Sequence, residues 1–399
     1  MAKILISSLG TGIKKEGAYS KAKYNIDNKV YETSFIADAL NRHLGFDKIF
    51  LIGTKRSIWD EAYMAFGGED EEYIEELYEK KELGKVDEKL LEKFTKTLPY
   101  GLEVKIVKYG LNEDELWENF TEFLTIVEQI EKNDELYLDI THSFRSLSLM
   151  SFVMTQFAQT ISDKNFKIKG VFYGMFEYQG ENNGITPIVD IKILFEIQEW
   201  IKAIDAIKNY SDFNLLVNLL DENSIEKDVQ NTFISLNNNI SLANIASIRQ
   251  FIKTASKKIK TINSSENKIV KLLAPEILKL VEELEQDKDS DFQYNLAQWF
   301  YKNKNYALAY IALYEAIITK SCELLSYDIE DHKKREEAKR SIGDDKYGKF
   351  FYTKYNDSIS VIRNSIVHQS SDRKSKVAND IKKLKEFIDT FENYFKIGK

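Results

Sequence analysis

The pattern of apolar residues changes once along this chain, near residue 191, and that change limits the possible folds more than any other feature. Before it, short apolar runs at residues 3–7, 48–52, 103–107, 135–140 and 167–173 alternate with amphipathic stretches. Such alternation builds strand–helix–strand units into a mostly parallel sheet with helices on both faces. Residues 19–35 alternate polar and apolar side chains around Asp27-Asn28-Lys29, which predicts an inserted β-hairpin, and the following helix should turn Phe35, Ala39 and Leu40 inward. After residue 191 the strand pattern stops. Leu194, Ile197, Ile201, Ile204 and Ile207 recur at three- and four-residue intervals, the spacing of one helical face, and nearly every later segment reads as helix. The expected fold is an α/β N-terminal half followed by an all-α C-terminal half.

At 399 residues the chain exceeds one ordinary core, since domains run to about 100–200 residues. Polar breaks at Asn237-Asn238-Asn239, Asn263-Ser264-Ser265 and residues 287–291 divide the helical half. The predicted domains are therefore 1–195, a helical connector at 196–288, and a C-terminal helical domain at 289–399. In the last of these, residues 306–325 form a long helix with Ala309, Leu313, Ala316 and Ile317 on one side, and Trp299, Phe300 and Tyr301 read as packing residues. Residues 331–346 mix charges of both signs, and residues 377–395 form a closing amphipathic helix.

A hydrophobic fraction of 43% with 30% charged residues is that of a soluble globular chain. No apolar run reaches 18 residues, and the N-terminus enters a strand directly, so a cytoplasmic protein without a membrane segment is expected. Cys322 is the sole cysteine, which excludes an intramolecular disulfide and a cysteine-based metal cluster. Residues 331–399 hold 17 Lys and Arg against 11 Asp and Glu, a balance of +6 that leaves −14 for residues 1–330 out of the total −8. A basic end of this kind suits nucleic-acid phosphates, although a charge run is more often a solvated face.

Asp139-Ile140-Thr141-His142-Ser143-Phe144-Arg145 turns an apolar strand abruptly into reactive side chains, ahead of an apolar stretch at 146–161 long enough for a buried helix. A strand-to-helix turn of this kind is the ligand side of an open α/β sheet. Its His, hydroxyls, carboxylate and Arg suit either a hydrolase or a pocket for a phosphate-bearing ligand. Asp139 also has a structural use as a cap for the turn, and Arg145 as an ion-pair partner. Ser7-Ser8-Leu9-Gly10-Thr11-Gly12, after the first strand, is a glycine-rich turn whose amides suit an anion. Ile13-Lys14-Lys15 follows it, so the dinucleotide fingerprint lacks its third glycine.

Histidines occur only at 43, 142, 332 and 368, so any imidazole chemistry must come from these. Arg363 precedes His368 by five positions, about 140° around an ideal helix, whereas Asn364 and His368 share a face. An imidazole, with a free pKa of about 6.5, can move a proton to or from a ribose or phosphate oxygen. A guanidinium can stabilise charge on the phosphorane. The same string on a helix is most often structural.

Together these segments resemble the CRISPR-associated ribonucleases that join a CARF sensor domain to a HEPN nuclease domain, in the branch named for a DxTHG motif. Here that motif reads Asp139-Ile140-Thr141-His142-Ser143, with Ser143 in place of glycine. The Gly-Thr-Gly turn, the hairpin carrying Tyr24 and ending at Thr33, Gly53-Thr54 with Trp59, and Val171-Phe172-Tyr173-Gly174 are similar to the same family. The resemblance implies a Rossmann-like CARF domain that pairs as a dimer and binds cyclic oligoadenylate, the second messenger of type III CRISPR defence. It implies a ligand pocket of Ser8, Gly10, Thr11, Gly12, Thr141, His142, Ser143 and Arg145. It also implies a HEPN domain whose RxxxxH motif, Arg363 to His368 with Asn364, cuts single-stranded RNA without a metal or cofactor and leaves 2′,3′-cyclic phosphates.

The expectation is thus a cytoplasmic homodimer or higher oligomer, activated by cyclic oligoadenylate, with the cyclic tetra-adenylate ring favoured by the resemblance, and with no stable DNA partner. Three rivals remain open: a non-enzymatic sensor that regulates a partner, a ring nuclease that degrades its own activator at the Asp139 cluster, and an oxidoreductase, which the broken fingerprint disfavours.

Overall fold

The computed structural model describes residues 1–12, 14–15, 18–98, 101–142, 145–161, 164, 166–223, 225–262, 268–342, 351, 358–368 and 376–395. The chain divides into two compact units, Met1–Phe195 and Glu196–Lys399.

The first unit is built on an eight-stranded sheet. Its parallel body holds β1 (Lys3–Leu9), β6 (Lys48–Gly53), β7 (Gly101–Ile106), β8 (Glu135–Asp139) and β9 (Lys167–Gly174), which lie within a residue or two of the five predicted runs. β2 (Lys14–Lys15) and β3 (Ala18–Tyr19) pair apart from it. β4 (Ala22–Ile26) and β5 (Lys29–Thr33) are the predicted hairpin, closed by Asp27 and Asn28 with φ of 48° and 65°. Two successive left-handed residues are what a tight hairpin turn with the native twist requires. β10 (Ile185–Asp190), which the apolar pattern does not reveal, runs antiparallel to β9 and parallel to β4, so it splices the hairpin onto the sheet. The strand order is β5-β4-β10-β9-β8-β1-β6-β7.

β1 explains why its run is continuously apolar: Leu5 and Leu9 enter one core while Ile4 and Ile6 enter the other, so both faces of the strand are buried. Around the sheet lie α1 (Ile36–Leu44), α2 (Trp59–Ala65), α3 (Glu71–Glu82), α4 (Glu88–Thr97), α5 (Glu113–Val127) and α6 (Arg145–Ile161). Phe35, Ala39 and Leu40 are fully buried, as their spacing predicts.

The expectation of a buried helix after the Asp139 cluster needs correction. On α6, Leu149, Val153, Phe157 and Ile161 are 66%, 55%, 39% and 57% exposed. They recur every four residues along one stripe, while Leu147, Met154 and Ala158 face the core. Only one side of the helix meets the sheet, so a stretch apolar on all sides keeps one side bare.

The second unit is helical: α7 (Ile193–Tyr210), α8 (Asn214–Glu222), α9 (Lys227–Ser241), α10 (Ile245–Ile262), α11 (Lys268–Leu284), α12 (Asp289–Lys302), α13 (Tyr306–Leu324), α14 (His332–Ser341), α15 (Ile359–Val367) and α16 (Val377–Phe395). One core runs through it from Trp200 to Phe391. Ala309, Leu313, Ala316, Trp299 and Phe300 belong to this core as predicted, and Tyr301 and Ile317 pack against it.

Two expectations fail here. The buried face of α7 is Trp200, Ala203 and Ile207, with Ile197 packed against it, so the predicted stripe holds at Ile197 and Ile207 and fails at Leu194 and Ile201, which are exposed. Asn237-Asn238-Asn239 is no break but lies inside α9. Asn237 is buried, accepting the Phe213 amide at 2.9 Å and donating to Asn214 Oδ1 at 2.9 Å, so it ties α9 to the start of α8. The predicted break at 263–265 lies outside the described residues. Among the described residues no helix is long and apolar enough to cross a membrane.

Candidate functional site

β1 is flanked by β6 on one side and β8 on the other, both parallel to it. The chain therefore reverses its direction of travel across the sheet at β1, and the loops leaving β1 and β8 part at their carboxyl ends, where open α/β sheets bind ligands. The glycine turn and the Asp139 cluster occupy these two loops.

Asp139 closes β8 and is almost fully buried. Its Oδ2 accepts the Ser7 hydroxyl at 2.5 Å and its Oδ1 accepts the Thr141 amide at 2.9 Å, so one carboxylate binds β1 to β8 and caps the turn. Thr141 Oγ1 accepts the Gly174 amide at 2.8 Å from the end of β9. His142 is half-buried, and its Nε2 lies 3.1 Å from the Tyr24 hydroxyl supplied by the inserted hairpin. Burial holds the His142 pKa below its ordinary value, against the Asp139 and Glu177 charges, so the imidazole is kept neutral. Burial likewise raises the Asp139 pKa, and the Ser7 and Thr141 donors pull it back. Tyr24 is raised by burial, then by the Asp139 charge, so its hydroxyl stays protonated as a donor.

The glycine turn is held from the other side. Ser57 Oγ donates to Leu9 O at 2.8 Å and accepts the Thr54 amide at 2.9 Å, while Ile58 N donates to Gly10 O at 3.0 Å. A Cβ on Gly10 would stand 3.1 Å from the His142 carbonyl oxygen, so the two loops abut at this point. Gly12 has φ of +58°, and a Cβ there would meet Ile58 at 2.5 Å and the Tyr19 ring at 3.0 Å. Tyr19 is fixed from below by Lys81 Nζ at 2.6 Å and by Asp60 Oδ1 at 3.0 Å.

Of the predicted pocket residues, Gly10, Thr141 and His142 come together, and Thr11 is exposed beside them. Ser8 is buried and lines a small internal cavity with Ile52, Val107, Asn119 and Leu147. Ser143 lies outside the described residues, as does the Arg145 side chain. Ser7 and Tyr24 are absent from the predicted pocket, yet they hold Asp139 and His142. The alternation of Ser7 with Ser8 on one strand carried a signal for the former, because only one of two neighbours can face a given side.

In the second unit, Ser358 caps α15 by accepting the Val361 amide, and Ile359 and Ile362 are buried. Arg363 Cζ sits 4.9 Å from the Tyr314 ring centroid, its NH1 donates to Asn364 Oδ1 at 3.2 Å, and its buried Nε has no hydrogen-bond partner among the described residues. His368 closes the helix, its amide donating to Asn364 O at 2.8 Å, and its side chain is exposed. Arg363 and Asn364 are thus joined directly. Among the described residues no hydrogen bond or ion pair ties the His368 imidazole to either. No group of three or more His, Cys, Asp and Glu side chains suited to a metal ion occurs among the described residues.

Residues 4–177 match the family described as "CRISPR system endoribonuclease Csx1, CARF domain", and residues 196–290 match "CRISPR-associated protein MJ1674, second domain". The chain is 31% identical to the CRISPR-associated protein MJ1674 of Methanocaldococcus jannaschii over 98% of its own length, and it spans 66% of that relative's length. A solved structure of Enterococcus italicus Csm6 bound to cyclic hexa-2'-fluoro-hexa-dAMP aligns over 98% of this chain and 93% of that one at 14% identity, with a TM-score of 0.39. The first match covers both the β1 and the β8 loop, so the Asp139 cluster and the glycine turn lie in the part of the chain that is similar to a CARF domain.

Proposed function

We propose that this protein is an endoribonuclease that cuts single-stranded RNA when a cyclic oligoadenylate occupies the pocket between the β1 and β8 loops. The observation that carries this reading is the state of Arg363: among the described residues an aromatic ring rather than a carboxylate holds its guanidinium, beside Asn364 and on the same helix end as the exposed His368. A guanidinium whose charge is not neutralised by an acid is ready for a phosphate. The description of the family matched at residues 4–177 as an endoribonuclease supports the same reading.

In the proposed reaction the 2′-hydroxyl loses its proton and its oxygen attacks the adjacent phosphorus. The bond to the 5′-oxygen breaks as that oxygen takes up a proton, leaving a 2′,3′-cyclic phosphate and a 5′-hydroxyl. His368 moves a proton, Arg363 stabilises charge on the phosphorane, and Asn364 orients the guanidinium. These residues need no metal ion for that chemistry. The second unit would be a HEPN nuclease domain, with the RxxxxH residues of two copies forming a composite site. The bare stripe of Leu149, Val153, Phe157 and Ile161 on α6 favours a second copy as its cover.

The switch-point pocket suits recognition. Backbone amides of a glycine turn and a neutral imidazole present donors to phosphates without a buried positive charge to compensate. Cyclic tetra-adenylate is the favoured activator. RNA cleavage is to be measured with cyclic tetra-adenylate, cyclic hexa-adenylate and a linear control, for the natural protein and for His368→Ala. The variant should bind activator normally and lose cleavage; undiminished cleavage would overturn the catalytic assignment in favour of a sensor that regulates a partner.

A further inference from the structure

We infer that Tyr314 is a positioning residue for the Arg363 guanidinium, its ring face serving where a carboxylate usually would; the inference rests on the nuclease reading above. Tyr314 lies on α13 and is 6% exposed. Its ring stacks on Phe351 with centroids 5.1 Å apart and planes 17° apart, so it is held from the core side. Arg363 Cζ rests 4.9 Å from the same ring. The ring is thus packed between Phe351 and the guanidinium, and Arg363 comes from a different helix.

The choice of an aromatic has a chemical consequence. An acid at this place would fix the guanidinium through two hydrogen bonds and cancel its charge, so an RNA phosphate would have to displace it. A ring face attracts the cation through its quadrupole and uses none of its five N–H donors. The donors keep their directions in the plane of the guanidinium, parallel work being done by the Asn364 carbonyl on NH1. The buried Nε–H has no partner among the described residues, so the donors that remain for a phosphate are the outer N–H groups of the guanidinium. Tyr314 thus sets the guanidinium for a phosphate and leaves its charge intact.

The test compares Tyr314→Phe, Tyr314→Leu and Tyr314→Met with His368→Ala in activator-dependent RNA cleavage, together with melting temperature and activator affinity. Tyr314→Phe keeps the ring and should cleave within about twofold of the natural protein. Tyr314→Leu should lose about tenfold or more in kcat, a loss worth about 1.4 kcal/mol per factor of ten, with activator affinity unchanged. Tyr314→Met supplies similar bulk without a ring and replaces the Leu variant if that melts below the assay temperature. Full cleavage by the Leu or Met variant while His368→Ala is inactive would overturn the positioning role and leave the nuclease reading standing. Equal losses in Phe and Leu would also overturn it, since the hydroxyl would then be the active part. Full cleavage by His368→Ala would instead remove the reading on which the inference rests.

Discussion

The loops at the ends of β1 and β8 hold their polar groups against one another, whereas among the described residues Arg363, Asn364 and His368 hold almost nothing. Asp139, Ser7, Thr141, Gly174, His142 and Tyr24 come from four strands and one turn, and each polar group named here has a partner inside the protein. Among the described residues the α15 end has one side-chain hydrogen bond, one ring contact and an exposed imidazole. On the proposed function, the difference is one between a recognition site and a cutting site. A site that is finished before its ligand arrives recognises shape, while a site left open is completed by what binds to it.

The contrast breaks most sharply at Arg363. Arg363→Ala should lower RNA cleavage by about 10²–10³-fold, the usual loss for one charge-stabilising donor, and leave the melting of the first unit and activator affinity unchanged. Single-turnover cleavage beside activator titration checks both halves, and a loss of activator affinity would contradict the division. Asp139→Ala should do the reverse. It strands the Ser7 hydroxyl and the Thr141 amide in a buried setting, which costs about 1–3 kcal/mol for each such group, and urea unfolding should show it in the first unit.

A smaller effect is expected at Gly12→Ala, about 1–2 kcal/mol for a left-handed backbone, plus the close approach to Ile58. Gly10→Ala should cost less stability, because its nearest neighbour stands at 3.1 Å rather than 2.5 Å, yet it should weaken activator binding by displacing the His142 loop. Comparative melting and titration of the two variants separate scaffold from recognition.

The smallest effect is in pH. The folded-state pKa of His142 is lowered by burial, so its contribution to stability is complete above about pH 6.5, the free value, and is lost as pH falls through the lowered folded value. Asp139 is raised and acts in the opposite sense, favouring the fold as pH falls toward the carboxylate range. Melting temperatures between pH 7.5 and 5.5 should therefore decline more in the natural protein than in His142→Asn. Equal declines would show that His142 gains its proton without cost.

The parallel strands and the inserted hairpin were legible because burial on both faces forces continuous apolar runs, and because Asp27-Asn28 takes a turn that few other pairs tolerate. β10 was not, since Ile185 to Asp190 is half-exposed and carries a proline. The gathering of Asp139, Thr141 and His142 at a strand end was legible, but the part played by Ser7 and Tyr24 was not, because their partners lie 132 and 118 residues away. Asn237 misled for the same reason: an asparagine breaks a helix in isolation, and a buried partner reverses that preference.

Local chemistry in the sequence determined the order of elements, the turn at the hairpin, the glycine at a left-handed position and the sites where reactive side chains cluster. Each of these depends on neighbours a few residues apart, whose geometry the chain carries with it. Tertiary structure alone decided which face of α6 stays bare, which serine meets Asp139 and that Tyr314 lies under Arg363. Those are choices among equally well-patterned alternatives, and only the packing of distant segments distinguishes them.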